Sequence, residues 1–247
     1  MQLKPMRQAA LSSTRGSGFD QAESAGMSSW QGSIESLFLE GEAGRLEALL
    51  NLGAAGAQYA CVVCHPHPLF GGTMHNKVVF RTMKALNGFG FPVLRFNFRG
   101  VGSSAGEHDE GRGEIADVRV ALDYLSERFG LPILFAGFSF GAAVGLRAAA
   151  AHPQVKGLIL VGTPVNAEGR AYRYELLQES TLPKLMVSGD RDQFASVAQL
   201  EAIVATAAEP KRLVVIPGAD HFFSGHLDEL REAVQRWVSE EVGVQAV

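Results

Sequence analysis

Cysteine is nearly absent from this chain: Cys61 and Cys64 are the only two in 247 residues. A disulfide framework is therefore excluded, and a reducing, cytoplasmic setting is the expectation. No charge sign dominates, since 22 Lys and Arg face 26 Asp and Glu for a net charge of −4. That leaves no basic footprint for nucleic acid or an anionic membrane, and neither is expected as a partner. No apolar run reaches bilayer length. The 28 glycines are scattered without a period, so they mark turns and not a repeat. The remainder, 47% hydrophobic and 19% charged, suits one large α/β domain and does not require a second.

The first 26 residues carry Lys4, Arg7 and Arg15 among many Ser, Gly and Ala, and lack the apolar core of a secretory signal. Residues 1–30 are expected to be a flexible leader, with Met27 as an alternative start and a transit peptide as a further reading. Residues 31–247 are expected to form a single domain.

Segments 33–39 and 45–52, joined across 40–44, have the pattern of an antiparallel hairpin. Thereafter strand patterns (59–64, 91–98, 131–136, 157–162, 185–189, 213–218) alternate with helical ones (76–86, 114–128, 142–151, 197–207, 227–238). A short helix is expected over 172–179. Continuously apolar strands alternating with helices predict a mostly parallel sheet covered on both faces, made mixed by the hairpin.

The stretch Gly137-Phe138-Ser139-Phe140-Gly141 lies between an apolar strand pattern and an alanine-rich helical one. G-x-S-x-G in that context predicts a serine held on a sharp strand-to-helix turn. A serine hydroxyl needs a base within hydrogen-bond reach, and the base needs an orienting group. Two later strand ends supply them: Asp190 or Asp192 in 188–194, and His221 in 217–223. In a parallel sheet these ends share the edge where ligands bind. His226 is the weaker histidine candidate. Two N–H donors are also required for a developing oxyanion. Phe140 is one. Pro66 and Pro68 have no N–H, so the loop after residue 64 offers His67 or Leu69. His65 and His67 are expected to shape that loop by hydrogen bonds. A metal role is disfavoured, because no carboxylate or third histidine sits at ligand spacing nearby.

Cys61-Val62-Val63-Cys64-His65 matches the C-x-x-C-H haem-attachment pattern. It lies in a strand pattern, where positions three apart point to opposite faces, so both cysteines are read as small core residues. The charged run Glu107, His108, Asp109, Glu110, Arg112, Glu114 and Asp117 is read as a solvated loop and helix start. Asp109 or Glu114 is the candidate to tether neighbouring loops.

Together the segments 65–77 (His-Pro-His-Pro-Leu-Phe-Gly-Gly-Thr-Met-His-Asn-Lys), 95–104 (Arg-Phe-Asn-Phe-Arg-Gly-Val-Gly-Ser-Ser), 137–141, 189–192 and Asp220-His221 resemble an α/β-hydrolase. The resemblance is to the small, cap-less bacterial group related to dienelactone hydrolases and short-chain carboxylesterases. It covers roughly residues 33–240. It implies the α/β-hydrolase fold and the chain order serine, acid, histidine. It favours Asp192 as the acid, with Asp190 bonding the turn, and Leu69 as the second oxyanion donor beside Phe140. Dienelactone hydrolases use cysteine, whereas Ser139 here points to ester hydrolysis, and the doubled His-Pro departs from the usual His-Gly.

The resemblance further implies a serine hydrolase acting on small or short-acyl esters through an acyl-enzyme. Such an enzyme needs no cofactor and no metal, and works as a monomer or small homo-oligomer. The connection 163–183 is too short for a full cap, implying an open site rimmed by Phe70, Phe140, Phe222 and Tyr172. A thioesterase or peptidase on the same triad, and a non-enzymatic binding protein, are the alternatives.

Overall fold

A computed structural model describes residues 33–167 and 169–246, so the leader expected over residues 1–30 lies outside the described residues. The chain opens with β1 (Ile34–Gly41) and β2 (Gly44–Asn51), an antiparallel hairpin as its alternating pattern predicts. Next come β3 (Ala60–Cys64), α1 (Lys77–Asn87), β4 (Val93–Phe96), α2 (Gly113–Phe129), β5 (Ile133–Phe138) and α3 (Phe140–Ala149). The second half carries β6 (Val155–Val161), two-residue strands β7 (Asn166–Ala167) and β8 (Arg170–Ala171), α4 (Leu176–Glu179), β9 (Lys184–Gly189), α5 (Val197–Thr206), β10 (Lys211–Ile216) and α6 (Leu227–Trp237).

Eight strands form one sheet in the order β1-β2-β4-β3-β5-β6-β9-β10. β2 meets β4 antiparallel, and from β4 to β10 every pairing is parallel. Such crossovers need helices, and these cover both faces. α2 and α3 pack on one face, where Val118, Leu122 and Leu146 meet Phe135 and Leu158. α1 and α6 pack on the other, where Val79, Met83, Leu230 and Trp237 meet Leu134 and Ile159. Strand alternation sends Cys61 to the second face and Cys64 to the first, both fully buried. Burial pushes both thiols far up, so they remain protonated packing residues. Among the described residues no helix is long and apolar enough to cross a membrane.

Two boundaries differ from the sequence expectation in a way that matters. β5 begins at Ile133, past Pro132, which has no N–H for the ladder, and extends to Phe138. α3 then starts at Phe140, leaving Ser139 alone between strand and helix. The connection from β6 to β9 contains the small β7–β8 pair and only one helical turn instead of a helix from 172 to 179.

The segment Arg95 to Arg99 is a clasp. Arg95 donates to the Met74 carbonyl at 3.0 Å and to Asn51 Oδ1 at 3.1 Å. Asn97 accepts the Met74 N–H at 2.8 Å and donates to Glu47 Oε2 at 2.8 Å. The Phe98 N–H donates to His65 Nε2 at 3.0 Å. The loop after β3 is thereby fixed from behind. Arg99 makes a two-pronged contact with Asp117 of α2, the shortest prong 2.7 Å. Burial raises the Asp117 carboxyl and Arg99 opposes that shift; the two-pronged geometry is that of an ion pair. Asp117 and Glu114 are both fully buried, which corrects the solvated reading at these two positions, while Glu107, Glu110 and Arg112 are exposed. Removing one partner of a buried pair strands the other. Asp117→Ala is therefore expected to lower stability by about 3–5 kcal/mol, measured by urea unfolding.

Candidate active site

Ser139 has φ 55° and ψ −121°, a left-handed backbone that a non-glycine residue rarely adopts. Holding it costs on the order of 1–3 kcal/mol, which the surroundings must offset. The Ser139 N–H donates to the Val161 carbonyl at 2.9 Å, and the Ser139 carbonyl accepts from Ala142 and Ala143 at 2.9 and 3.1 Å. The flanking glycines have steric reasons. A Cβ on Gly137 would come within 2.5 Å of the Gly141 carbonyl oxygen, and one on Gly141 within 2.5 Å of that of His65. Neither neighbour is a flexible side chain, so only glycine lets β3, β5 and α3 approach this closely.

His221 follows β10 and is 2% exposed. Its Nε2 lies 2.9 Å from Ser139 Oγ and its Nδ1 2.8 Å from Asp192 Oδ2. The tautomer with the proton on Nδ1 donates to Asp192 and accepts the serine O–H. Phe138, Phe194 and Phe222 surround the imidazole at ring separations of 5.0, 4.6 and 5.2 Å. Asp192 is fixed in turn: Oδ1 accepts the Phe194 N–H at 2.8 Å, and Oδ2 accepts Ser188 Oγ at 3.2 Å. Sequence alone does not single out Ser188. It belongs to β9, and its role depends on the turn that brings Asp192 back over the strand end.

Of the two aspartates, only Asp192 reaches the imidazole; Asp190 accepts the Gly218 N–H at 2.7 Å and binds the neighbouring loop. Asp220 accepts the N–H groups of Phe222 and Ser224, which hold its carboxyl below the usual range and shape the histidine loop. His226 pairs with Glu229 at 3.2 Å, outside the relay.

Around Ser139 and His221 a pocket of about 340 Å³ is lined by Pro66, His67, Phe70, Gly71, Gly72, Asn76, Phe194 and Phe222. Phe70 and Phe222 are thus brought to the site, but three expectations are corrected. Leu69 does not line this pocket, and its N–H donates to His67 Nδ1 at 3.2 Å, capping a short 3-10 turn. Its amide is therefore not directed at an oxyanion; of the two loop candidates, His67 is the one beside the serine. Tyr172 lies against the core in a separate depression with Arg147 and Arg170, because the connection folds back as the β7–β8 pair. The Phe140 ring is buried against His67 and Phe98 and does not rim the pocket.

His65 is completely buried. Its Nε2 accepts from Phe98 and its Nδ1 is 2.6 Å from the Pro66 carbonyl, which it serves as a donor. Burial pushes it down to about 4. His67 also falls to about 4, through burial and then the nearby His108 and Arg170. Both rings are neutral at pH 7, as their acceptor roles require. Among the described residues no group of three or more His, Cys, Asp and Glu is arranged to hold a metal ion.

A mixed eight-stranded sheet carrying a strained serine elbow, with histidine and aspartate on neighbouring strand ends, defines the α/β-hydrolase class. The chain belongs to that family: the alpha/beta hydrolase domain model matches residues 62–240. An uncharacterized protein of Rickettsia prowazekii (strain Madrid E) is 32% identical over 209 residues, covering 82% of this chain and 87% of that protein. Among solved structures, an alpha-beta serine hydrolase homologue from Coxiella burnetii is 41% identical with a TM-score of 0.75, covering 82% of this chain and 96% of that one. A Xanthomonas campestris α/β serine hydrolase without a lid is 33% identical with a TM-score of 0.74, covering 87% and 96%.

The depressed His65 predicts a pH dependence. The unfolded chain takes up a proton near 6.5 and the folded chain only near 4, so the unfolded state binds more protons between these values. Stability contributed by neutral His65 is complete above about 6.5 and is lost as pH falls toward 4. The full difference is roughly 3 kcal/mol. Urea midpoints should fall between about pH 7 and pH 4.5, and the fall should be smaller in His65→Gln.

Proposed function

We propose that this protein is a carboxylesterase-type serine hydrolase that cleaves small or short-acyl esters through an acyl-enzyme. The observation that carries the reading is the unbroken relay from Ser139 Oγ through His221 to Asp192 at the floor of an open pocket. His221 takes the Ser139 proton as Oγ attacks the ester carbonyl. Asp192 holds the proton on Nδ1 and stabilises the imidazolium. The N–H groups of Phe140 and His67 receive the oxyanion. Each such donor is worth on the order of 10²–10³ in turnover. His221 then gives its proton to the departing alcohol and activates the water that releases the acid.

Size and polarity support the substrate class. A 340 Å³ pocket is at the small end for ligand sites, and Phe70, Phe194 and Phe222 give it apolar walls. Among the described residues, the connection between β6 and β9 carries no cap over it. Serine as nucleophile supports acyl transfer and sets aside the family branches that use an aspartate.

Ser139→Ala should abolish hydrolysis while leaving the unfolding midpoint within experimental spread. Across p-nitrophenyl esters, thioesters and aminoacyl anilides, turnover should be highest on short-chain esters; preference for anilide or thioester would replace this reading. Asp192→Asn should lower kcat by on the order of 10⁴-fold, while Asp190→Asn should lower it less than about tenfold.

A further inference from the structure

Glu114 is a fully buried carboxylate at the start of α2. Its oxygens accept the N–H groups of Asp109 at 2.9 Å and Gly111 at 2.8 Å, closing the loop before α2. His108 Nδ1 lies 2.6 Å from Glu114 Oε1, a close contact bent away from hydrogen-bond geometry. The carboxylate therefore anchors the loop and lies in close contact with its histidine.

That histidine lines an adjacent depression with His67 and Phe70 and packs on the site's supporting rings. Its ring is 4.9 Å from the His67 ring and 5.7 Å from the Phe140 ring. The His67 and Phe140 rings are themselves 4.7 Å apart. Three side chains from three separate segments thus close a triangle: the loop after β3, the first turn of α3 and the loop before α2. The loop lies tightly on α3, since a Cβ at Gly111 would come within 3.1 Å of Val144 Cγ2. Arg170 fastens it from outside by donating to the Glu110 carbonyl at 2.9 Å.

We propose that His108, held by Glu114, is a positioning residue that sets the spacing of the two oxyanion amides by packing on the rings of His67 and Phe140. This rests on the serine-hydrolase reading above. Residues 67 and 140 share no strand or helix, so their relative placement draws on side-chain packing as well as on the β3–β5 ladder behind them. Donors that stabilise a transition state must be placed before charge develops, and a shift of about 1 Å can cost on the order of a hundredfold. His108 touches neither nucleophile nor base and does not line the Ser139 pocket. Losing it should weaken transition-state binding and spare substrate binding.

The test is steady-state kinetics on p-nitrophenyl butyrate together with inhibition by a trifluoromethyl ketone, which forms a tetrahedral oxyanion on the serine. His108→Ala is expected to lower kcat by about ten- to a hundredfold, with KM within about twofold and the inhibition constant raised by the same factor as kcat falls. His108→Phe, which restores a ring on the same two neighbours, should recover most of the loss and serves also if the alanine variant does not fold. Unchanged kcat in His108→Ala, a fall in kcat without weaker ketone binding, or a phenylalanine variant as poor as the alanine one would each overturn the proposal. Wild-type protein that hydrolyses no ester would overturn the serine-hydrolase reading and this inference together; active wild type with an unaffected His108→Ala would overturn this inference alone.

Discussion

The backbone of Ser139 is the constraint around which the structure is arranged. A residue at φ 55° and ψ −121° does not rest there by preference. It is held because β5 stops at Phe138, α3 starts at Phe140, and both are anchored by the parallel ladder and the helix-capping carbonyl of Ser139 itself. Gly137 and Gly141 allow the neighbouring backbones to close in. β5 lies in the middle of the sheet, between β3 and β6, so the elbow is supported from both sides. The loops that follow β3, β9 and β10 emerge on the same edge. The hydroxyl is consequently presented to groups from distant parts of the chain.

A second layer of buried polar contacts keeps those loops still. Arg95, Asn97 and His65 fasten the loop after β3, while Arg99 with Asp117 fastens the segment leading to α2. Buried charge is an expensive way to gain stability, and apolar replacements often do as well. Its use here is directional. Arg95 and Asn97 address named carbonyls and N–H groups in one loop, which a leucine could not do. The same holds for Glu114, which closes a loop by accepting two backbone N–H groups.

Much of the fold is legible in the sequence because strand and helix periodicities differ and the strands are continuously apolar. The relay is legible from position: Ser139 after one strand, Asp190 and Asp192 after another, His221 after a third. Choosing between the aspartates requires the resemblance to a known family, because both lie on one short turn and periodicity does not rank them. Leu69 is misread from sequence since the amide's fate depends on the tautomer and rotamer of His67 two residues earlier. Tyr172 is misplaced because the β7–β8 pair redirects a segment whose sequence resembles a short helix. Within the charged run from Glu107 to Asp117, Glu114 and Asp117 look solvated because composition does not reveal partners. Glu114 is satisfied by two loop N–H groups beside His108, and Asp117 is paired with an arginine from the other end of the preceding loop.

The central claim is that Ser139 is an activated nucleophile, and covalent capture tests it most directly. Wild-type protein treated with a fluorophosphonate should gain one adduct by intact mass, with peptide mapping placing it on Ser139 and His221→Ala reacting far more slowly. An unmodified protein, or an adduct on another residue, would contradict the account.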